Sequence, residues 1–380
     1  MNATLIRRAM HDAVGATFPG AVLRVAVDGQ EVFHEGFGRA GVLERSPAVT
    51  TALRWDIASL TKPLCVMSLA MQGVDEGWLD LDEPVLRRLP DLERDARQVL
   101  TARLLLCHRS GLPDWRPYMD WLQERHPEEP PGSVAAVARV RSWVMREPLV
   151  APPGAVERYS DLGYMLLGWW LEDALGEHLD VAFQRRVATP LGLRSTAYVP
   201  VSGWEARGAL RHTSTIAPTE QCSFRGRLLV GEVHDENAFA LGGVAGHAGL
   251  FSTAEDVGRW ADALLASLNG RGLWSVRTAR EFLTADEALR GSTWRLGMDT
   301  PSPGTSSAGQ RVSRSALGHL GFTGCSVWID PPRRATAALL SNRVHPTRLN
   351  EAIRTLRPQL HDLVWTALDG RAAPLDAPLA

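Results

Sequence analysis

Three short segments carry side chains that could do chemistry together. WDIASLTKPLC (55–65) places Ser59 three positions before Lys62. If a helix begins near here, positions i and i+3 share a face, so the serine Oγ and the lysine amine can meet. Pro63 suits a first helical turn, where few backbone donors are needed. A serine hydroxyl attacks a carbonyl only after something takes its proton. Lysine can do so if its pKa falls well below about 10.4, and burial and the positive end of a helix dipole both act in that direction. The second segment, ERYSDLGYMLLG (157–168), sets Tyr159 on a loop just before an apolar helix, with Asp161 beside it. Taken alone, it reads as a surface tyrosine with Asp161 as helix N-cap. The third, GHLGFTGCSVWID (318–330), leads from His319 and Gly321 into a strand. Glycine there lets a ligand approach the backbone, although an edge strand with a bulge has the same pattern.

Composition sets Lys62 apart. Of 41 basic Lys and Arg residues it is the one lysine, and the other 40 are arginine. Arginine-heavy codon usage would explain the scarcity wherever the single lysine fell. Its place after Ser59 is one arginine could not fill, because a guanidinium does not give up its proton in a protein. The net charge of −2 and the absence of a basic block argue against nucleic acid or an anionic membrane as partner. At 45% hydrophobic and 22% charged, the 380 residues have ordinary globular composition. Neither a signal-peptide-like run nor a stretch of about 18 apolar residues is present, so a soluble cytoplasmic protein is expected. The four cysteines are scattered without a C-x-x-C pair, so neither disulfides nor structural zinc are indicated, and no cofactor is expected.

These segments need elements to position them. Leu5, Met10 and Val14 are spaced for a short amphipathic helix over 2–15. Asp28-Gly29 between two apolar runs predicts a β-hairpin. Residues 60–190 are mainly helical in pattern, with a buried helix over 162–175. Strands return at 325–330 and 335–341, and a final helix spans about 347–368. Strands at both ends around a helical middle predict an α+β fold, with one antiparallel sheet built from both termini. The expected organisation is a single two-lobed unit over 1–368. Its sheet lobe covers about 1–60 and 255–368, its helical lobe about 61–254, and a flexible tail runs over 369–380.

In this order the three segments resemble those of the penicillin-recognising serine hydrolases, closest to the branch of class C β-lactamases and related esterases. LLLCHRSGLPDW (104–115), HDENAFALGGVAGHAGLFSTAEDV (234–257) and SNRVHP (341–346) extend the resemblance over about residues 18–365. It implies a β-lactamase/DD-peptidase-like fold and an acyl-enzyme on Ser59, with Lys62 as proton acceptor. Tyr159 would pass protons to the leaving group and help activate water. The oxyanion hole would comprise the N–H groups of Ser59 and, after Gly321, of Phe322. Asp161 stands where relatives often carry Asn; beside Lys62 it would raise the lysine's pKa unless it turned away or were protonated. His319 and Leu320 replace the lysine and threonine of β-lactamases, so carboxylate binding would fall to Arg343 or Arg348. These departures favour small esters or amides as substrates, with peptidoglycan-fragment cleavage or weak β-lactamase activity as alternatives. A catalytically silent ligand-binding member of the fold is the reading from a different class.

Other clusters carry less. His234, Asp235, Glu236 and His247 include metal-ligand types, but adjacent side chains rarely converge, and a hydrogen-bonded loop bordering the cleft is favoured. Trp169-Trp170 reads as core and Trp115 as a wall of the acyl pocket. Cys65 and Cys325 read as small buried residues.

Overall fold

The computed structural model describes residues 2–201, 215–284 and 292–369. Strands β1 (Gly20–Val27) and β2 (Gln30–Gly38) form the expected hairpin. Asp28 and Gly29 both take left-handed backbone, with φ of 53° and 72°, as a tight primed turn requires. The chain then lays down β3 (Trp55–Asp56), β4 (Ala197–Tyr198), β5 (Gln221–Cys222), β6 (Arg227–Leu228) and β7 (Leu250–Ser252) in the connecting region. It ends with β8 (Leu317–Leu320), β9 (Ser326–Asp330) and β10 (Ala335–Ser341).

β10 runs antiparallel to β1, with Ala21 opposite Ser341 and Val27 opposite Ala335. This pairing joins the two ends of the sequence into a five-stranded antiparallel sheet of order β2-β1-β10-β9-β8. The fold is α+β, with one antiparallel sheet built from both ends of the sequence, as expected. Both faces of the sheet are covered. Leu23, Val25, Ala337 and Leu339 pack with Met10, Val364 and Trp365 of the terminal helices Thr4–Ala13 and Ile353–Leu368. Val22, Ala338 and Leu340 join the larger core with Trp260 and Leu264 of helix Ala254–Ser267. Alternate residues of a strand face opposite sides, so covering both faces leaves β1, β9 and β10 buried along almost their whole length.

Two element expectations shift. The first helix buries Ile6, Met10 and Ala13 and leaves Leu5 61% exposed, so its apolar stripe is rotated from the Leu5–Val14 line. The final helix begins at Ile353, because Asn350 instead turns its amide onto the carbonyls of Ala16 and Thr17. The tail expected from 369 lies outside the described residues except for Asp369, which pairs with Arg333 at 2.6 Å. No helix among the described residues is long and apolar enough to cross a membrane.

Candidate active site

The segment ahead of Ser59 is held from behind. Asp56, buried at the end of β3, accepts hydrogen bonds from the Ala58 amide at 2.8 Å and the His234 amide at 2.7 Å. Ala58 is thereby kept at φ 47°, a left-handed conformation uncommon for a residue with a Cβ. Ser59 follows in a single 3-10 turn (Ala58–Leu60). Lys62 opens a wide π turn (Lys62–Met67) before the α-helix Ser68–Glu76. One regular helix was expected here. Three geometries in succession replace it, yet Lys62 Nζ still reaches Ser59 Oγ at 2.9 Å.

Lys62 is completely buried, and its Nζ has further partners besides Ser59 and the Tyr159 hydroxyl. Asp161 Oδ1 lies 2.6 Å away and the carbonyl oxygen of His247 3.1 Å away. Burial pushes the Lys62 ammonium down, but Asp161 and Tyr159 together hold it above the usual lysine value. The fall in pKa expected from burial is therefore overturned. Asp161 does not turn away, and its carboxylate acting together with Tyr159 outweighs desolvation. Asp161 is also not the N-cap. Ser160 caps the helix Asp161–Leu175 by accepting from the Gly163 amide, which frees the Asp161 carboxylate for the first turn and for Lys62.

The loop at 108–115 seats Tyr159. His108 Nδ1 accepts the Ser160 amide at 3.1 Å, and the Asp114 carbonyl accepts the Asp161 amide at 2.9 Å. The His108 ring lies 4.5 Å from the Tyr159 ring and 4.4 Å from Trp294. Tyr159 is 36% exposed along its ring, while its hydroxyl interacts inward with Lys62 and Ser59. Burial raises the phenol's pKa and Lys62 pulls it the other way.

His319 is buried at the end of β8, and its Nδ1 pairs with its neighbour's carbonyl, that of Leu320, at 2.9 Å. Burial and the Lys62 charge push the imidazole down to about 3, so it is neutral near pH 7. Gly321 has no room for a side chain. A Cβ there would come within 2.6 Å of the Ile57 carbonyl, two residues before Ser59. Thr323 Oγ1 donates to the Asp56 carbonyl at 2.7 Å, which binds the same two segments together. Phe322 is 51% exposed at the mouth, beneath the Arg343 guanidinium.

Together these residues line a cleft of about 530 Å³. Ser59, Tyr159, Asp161, His319, Gly321 and Phe322 border it, Lys62 lies directly behind Ser59, and Trp115 forms part of its wall. His234, Asp235 and Glu236 line it as well, each already paired: with Glu220, His247 and Arg348 respectively. Arg348, one of the two arginines considered for carboxylate binding, lines the cleft and is ion-paired with Glu220 and Glu236. Arg343 is tied to the Phe322 carbonyl at 2.8 Å and to those of Arg348 and Asn350. All four cysteines are free and buried.

The profile of the Beta-lactamase family matches residues 3–361. The chain belongs to the Beta-lactamase family. Among curated proteins, a "Putative D-alanyl-D-alanine carboxypeptidase" of Escherichia coli K12 is 30% identical over 368 residues, covering 87% of this chain and 80% of its own length. An "N-acetylmuramyl-L-alanine amidase" of Bacillus subtilis is 31% identical over 358 residues, covering 87% and 79%. Of solved structures, "EstCE1, a hydrolase with promiscuous acyltransferase activity" superposes with a TM-score of 0.73 at 20% identity, covering 95% of this chain and 98% of that one. At that identity the likeness concerns the fold. The chain is thus a β-lactamase-fold member of a family of hydrolases.

Sequence reasoning missed four contributors. Asp56 and Trp294 carried no motif. His108 lay within a matched loop but without an assigned role. His247 serves Lys62 through its backbone carbonyl, which no side-chain pattern could disclose.

Proposed function

We propose that the protein is a serine hydrolase that forms an acyl-enzyme on Ser59. The observation that carries this reading is the arrangement of Ser59, Asp161 and the His247 carbonyl around Lys62 Nζ. Asp161 and the His247 carbonyl can only accept hydrogen bonds. As an ammonium, Nζ donates to Asp161, to the His247 carbonyl and to Ser59 Oγ. Once it has given up one proton, the two acceptors keep the remaining N–H groups and the lone pair is left facing Ser59 Oγ. The same geometry receives the serine proton as a third N–H when Oγ attacks a carbonyl. Lys62 therefore needs no rearrangement between its two protonation states.

Tyr159, in contact with both Ser59 and Lys62, would hand a proton to the departing alcohol or amine and later help draw one from water. The Ser59 and Phe322 amides would hold the oxyanion. Among the described residues neither amide is paired with a backbone acceptor, as free donors require. Asp161 would hold the Lys62 charge between steps.

The substrate we propose is a small carboxylic ester or amide. The relatives named for amidase and carboxypeptidase action favour a peptidoglycan-fragment amide as the natural case. A neutral His319 in place of a cationic residue makes efficient β-lactam turnover the less favoured activity. Intact-mass spectrometry with a fluorophosphonate should yield one adduct, at Ser59. Turnover of p-nitrophenyl butyrate, nitrocefin, a D-Ala-D-Ala peptide and a muramyl peptide, run side by side, ranks the substrates. No adduct and no turnover of any of the four would leave the silent binding protein as the reading.

A further inference from the structure

Arg357 belongs to the final helix, yet its guanidinium reaches the cleft. The residue is only 7% exposed, and among the described residues it makes no ion pair. Nη2 instead donates to two backbone carbonyls, those of Gly321 at 2.8 Å and Cys325 at 2.6 Å. A buried cation without an anion is costly, so an arginine placed this way calls for an explanation.

The Gly321 carbonyl and the Phe322 amide are two ends of one peptide group. In a trans peptide the C=O and N–H point in opposite directions within one plane; the one cis peptide bond among the described residues is His345–Pro346. The oxygen accepts from Arg357 at 2.8 Å and, more weakly, from the Gly324 amide at 3.1 Å, and anchoring it there fixes the direction of the N–H. A charge-assisted bond at the oxygen also polarises the group and makes the N–H a stronger donor. The rest of the turn is held in register with the nucleophile. The Gly321 amide donates to the Cys325 carbonyl at 2.7 Å, and Gly321 itself abuts the Ile57 carbonyl.

We propose that Arg357 is a positioning residue for the oxyanion hole, orienting and polarising the Gly321–Phe322 peptide so that the Phe322 N–H meets the charge developing on the substrate oxygen. The proposal rests on the acyl-enzyme reading, in which Phe322 supplies that donor. Burial brings the guanidinium down to about 10, which still leaves it charged at neutral pH. Its lack of an anionic partner then has a use: the missing negative charge appears on the substrate in the transition state.

The test compares wild type with Arg357→Met, which keeps a long apolar stem, and Arg357→Lys, which keeps a cation and a donor. With p-nitrophenyl butyrate, Arg357→Met should lower kcat about 10- to 100-fold, somewhat less than outright loss of an oxyanion donor, with KM within about threefold. Phenylboronic acid, which adds to Ser59 as a tetrahedral adduct, should bind more weakly by a factor like that in kcat. Arg357→Lys should recover most of the loss. A folded Arg357→Met, as judged by thermal melting, that keeps kcat within twofold overturns the proposal. So does a kcat loss with unchanged boronate affinity. If Arg357→Met does not fold, Arg357→Gln replaces it, and equal kcat for the Gln and Lys variants overturns the proposal equally. Should wild type itself form no fluorophosphonate adduct and turn over no ester, the acyl-enzyme reading has failed first, and the two failures are told apart.

Discussion

Asp161 Oδ1 lies 2.6 Å from Lys62 Nζ, an ion pair whose lysine side is fully buried and whose carboxylate borders the cleft. It couples the first sequence segment to the second across 99 positions. It also sets the protonation state from which any chemistry at Ser59 must begin.

The Asp161 carboxylate helps hold Lys62 above its usual pKa, so removing its charge should bring the lysine down. For Asp161→Asn we expect the acid limb of the kcat/KM–pH profile to move to lower pH, because the lysine now loses its proton sooner as pH rises. An uncharged amide oxygen can still accept from Nζ, which limits the structural damage. A pH–rate profile between pH 5 and 10 checks this; a limb that stays put or moves upward removes Lys62 as its source.

On the acyl-enzyme reading, Lys62→Arg keeps the charge of the site and loses its base. The guanidinium cannot deprotonate, so acylation should fall by about 10²–10⁴-fold, the usual contribution of a positioned base. The larger head must fit where Lys62 is wholly enclosed, and overpacking should cost about 1–3 kcal/mol of stability. Fluorophosphonate labelling followed over time and a thermal melt measure the two effects. Near-normal labelling would make the single lysine a quirk of composition.

His319 is held neutral by burial, with its pKa at about 3, against about 6.5 for an unfolded chain. The unfolded state therefore takes up a proton that the folded state refuses. Stability contributed this way is complete above pH 6.5 and is lost as pH falls towards 3, at about 1.4 kcal/mol per unit for one histidine. His319→Gln should flatten the fall in melting temperature between pH 6.5 and 4.5. Scanning calorimetry at several pH values decides it, since an unchanged slope would exclude His319 as a source. His108 and His361, also buried with depressed values, should leave a residual slope in the variant.

Much of the architecture was legible because its causes are local. Asp28-Gly29 permits the left-handed turn of the hairpin. The apolar run 162–171 is buried on nearly every side, and β-type runs near both ends announced the strands. The Leu5 error had the opposite origin. A periodic stripe identifies a helix but leaves its rotation to whatever it packs against, and here the sheet selected Ile6, Met10 and Ala13.

By itself, the sequence determined which chemistry was open to this protein. One lysine three residues after a serine, a tyrosine before a buried helix and a glycine-bearing strand start were all present, in the order the family shares. Only the tertiary structure decided how those groups are tuned. Residue type establishes that Lys62 can lose a proton. Its affinity for that proton depends on the distance to Asp161 and on the depth of burial, both set by the packing of segments about a hundred residues apart. The same holds for the Phe322 amide. Any residue at position 322 but proline has an N–H, but its direction follows from the Gly321 carbonyl and the Arg357 guanidinium on the final helix. Electrostatic and directional effects act through space over a few ångströms, and folding alone determines which residues come within that range.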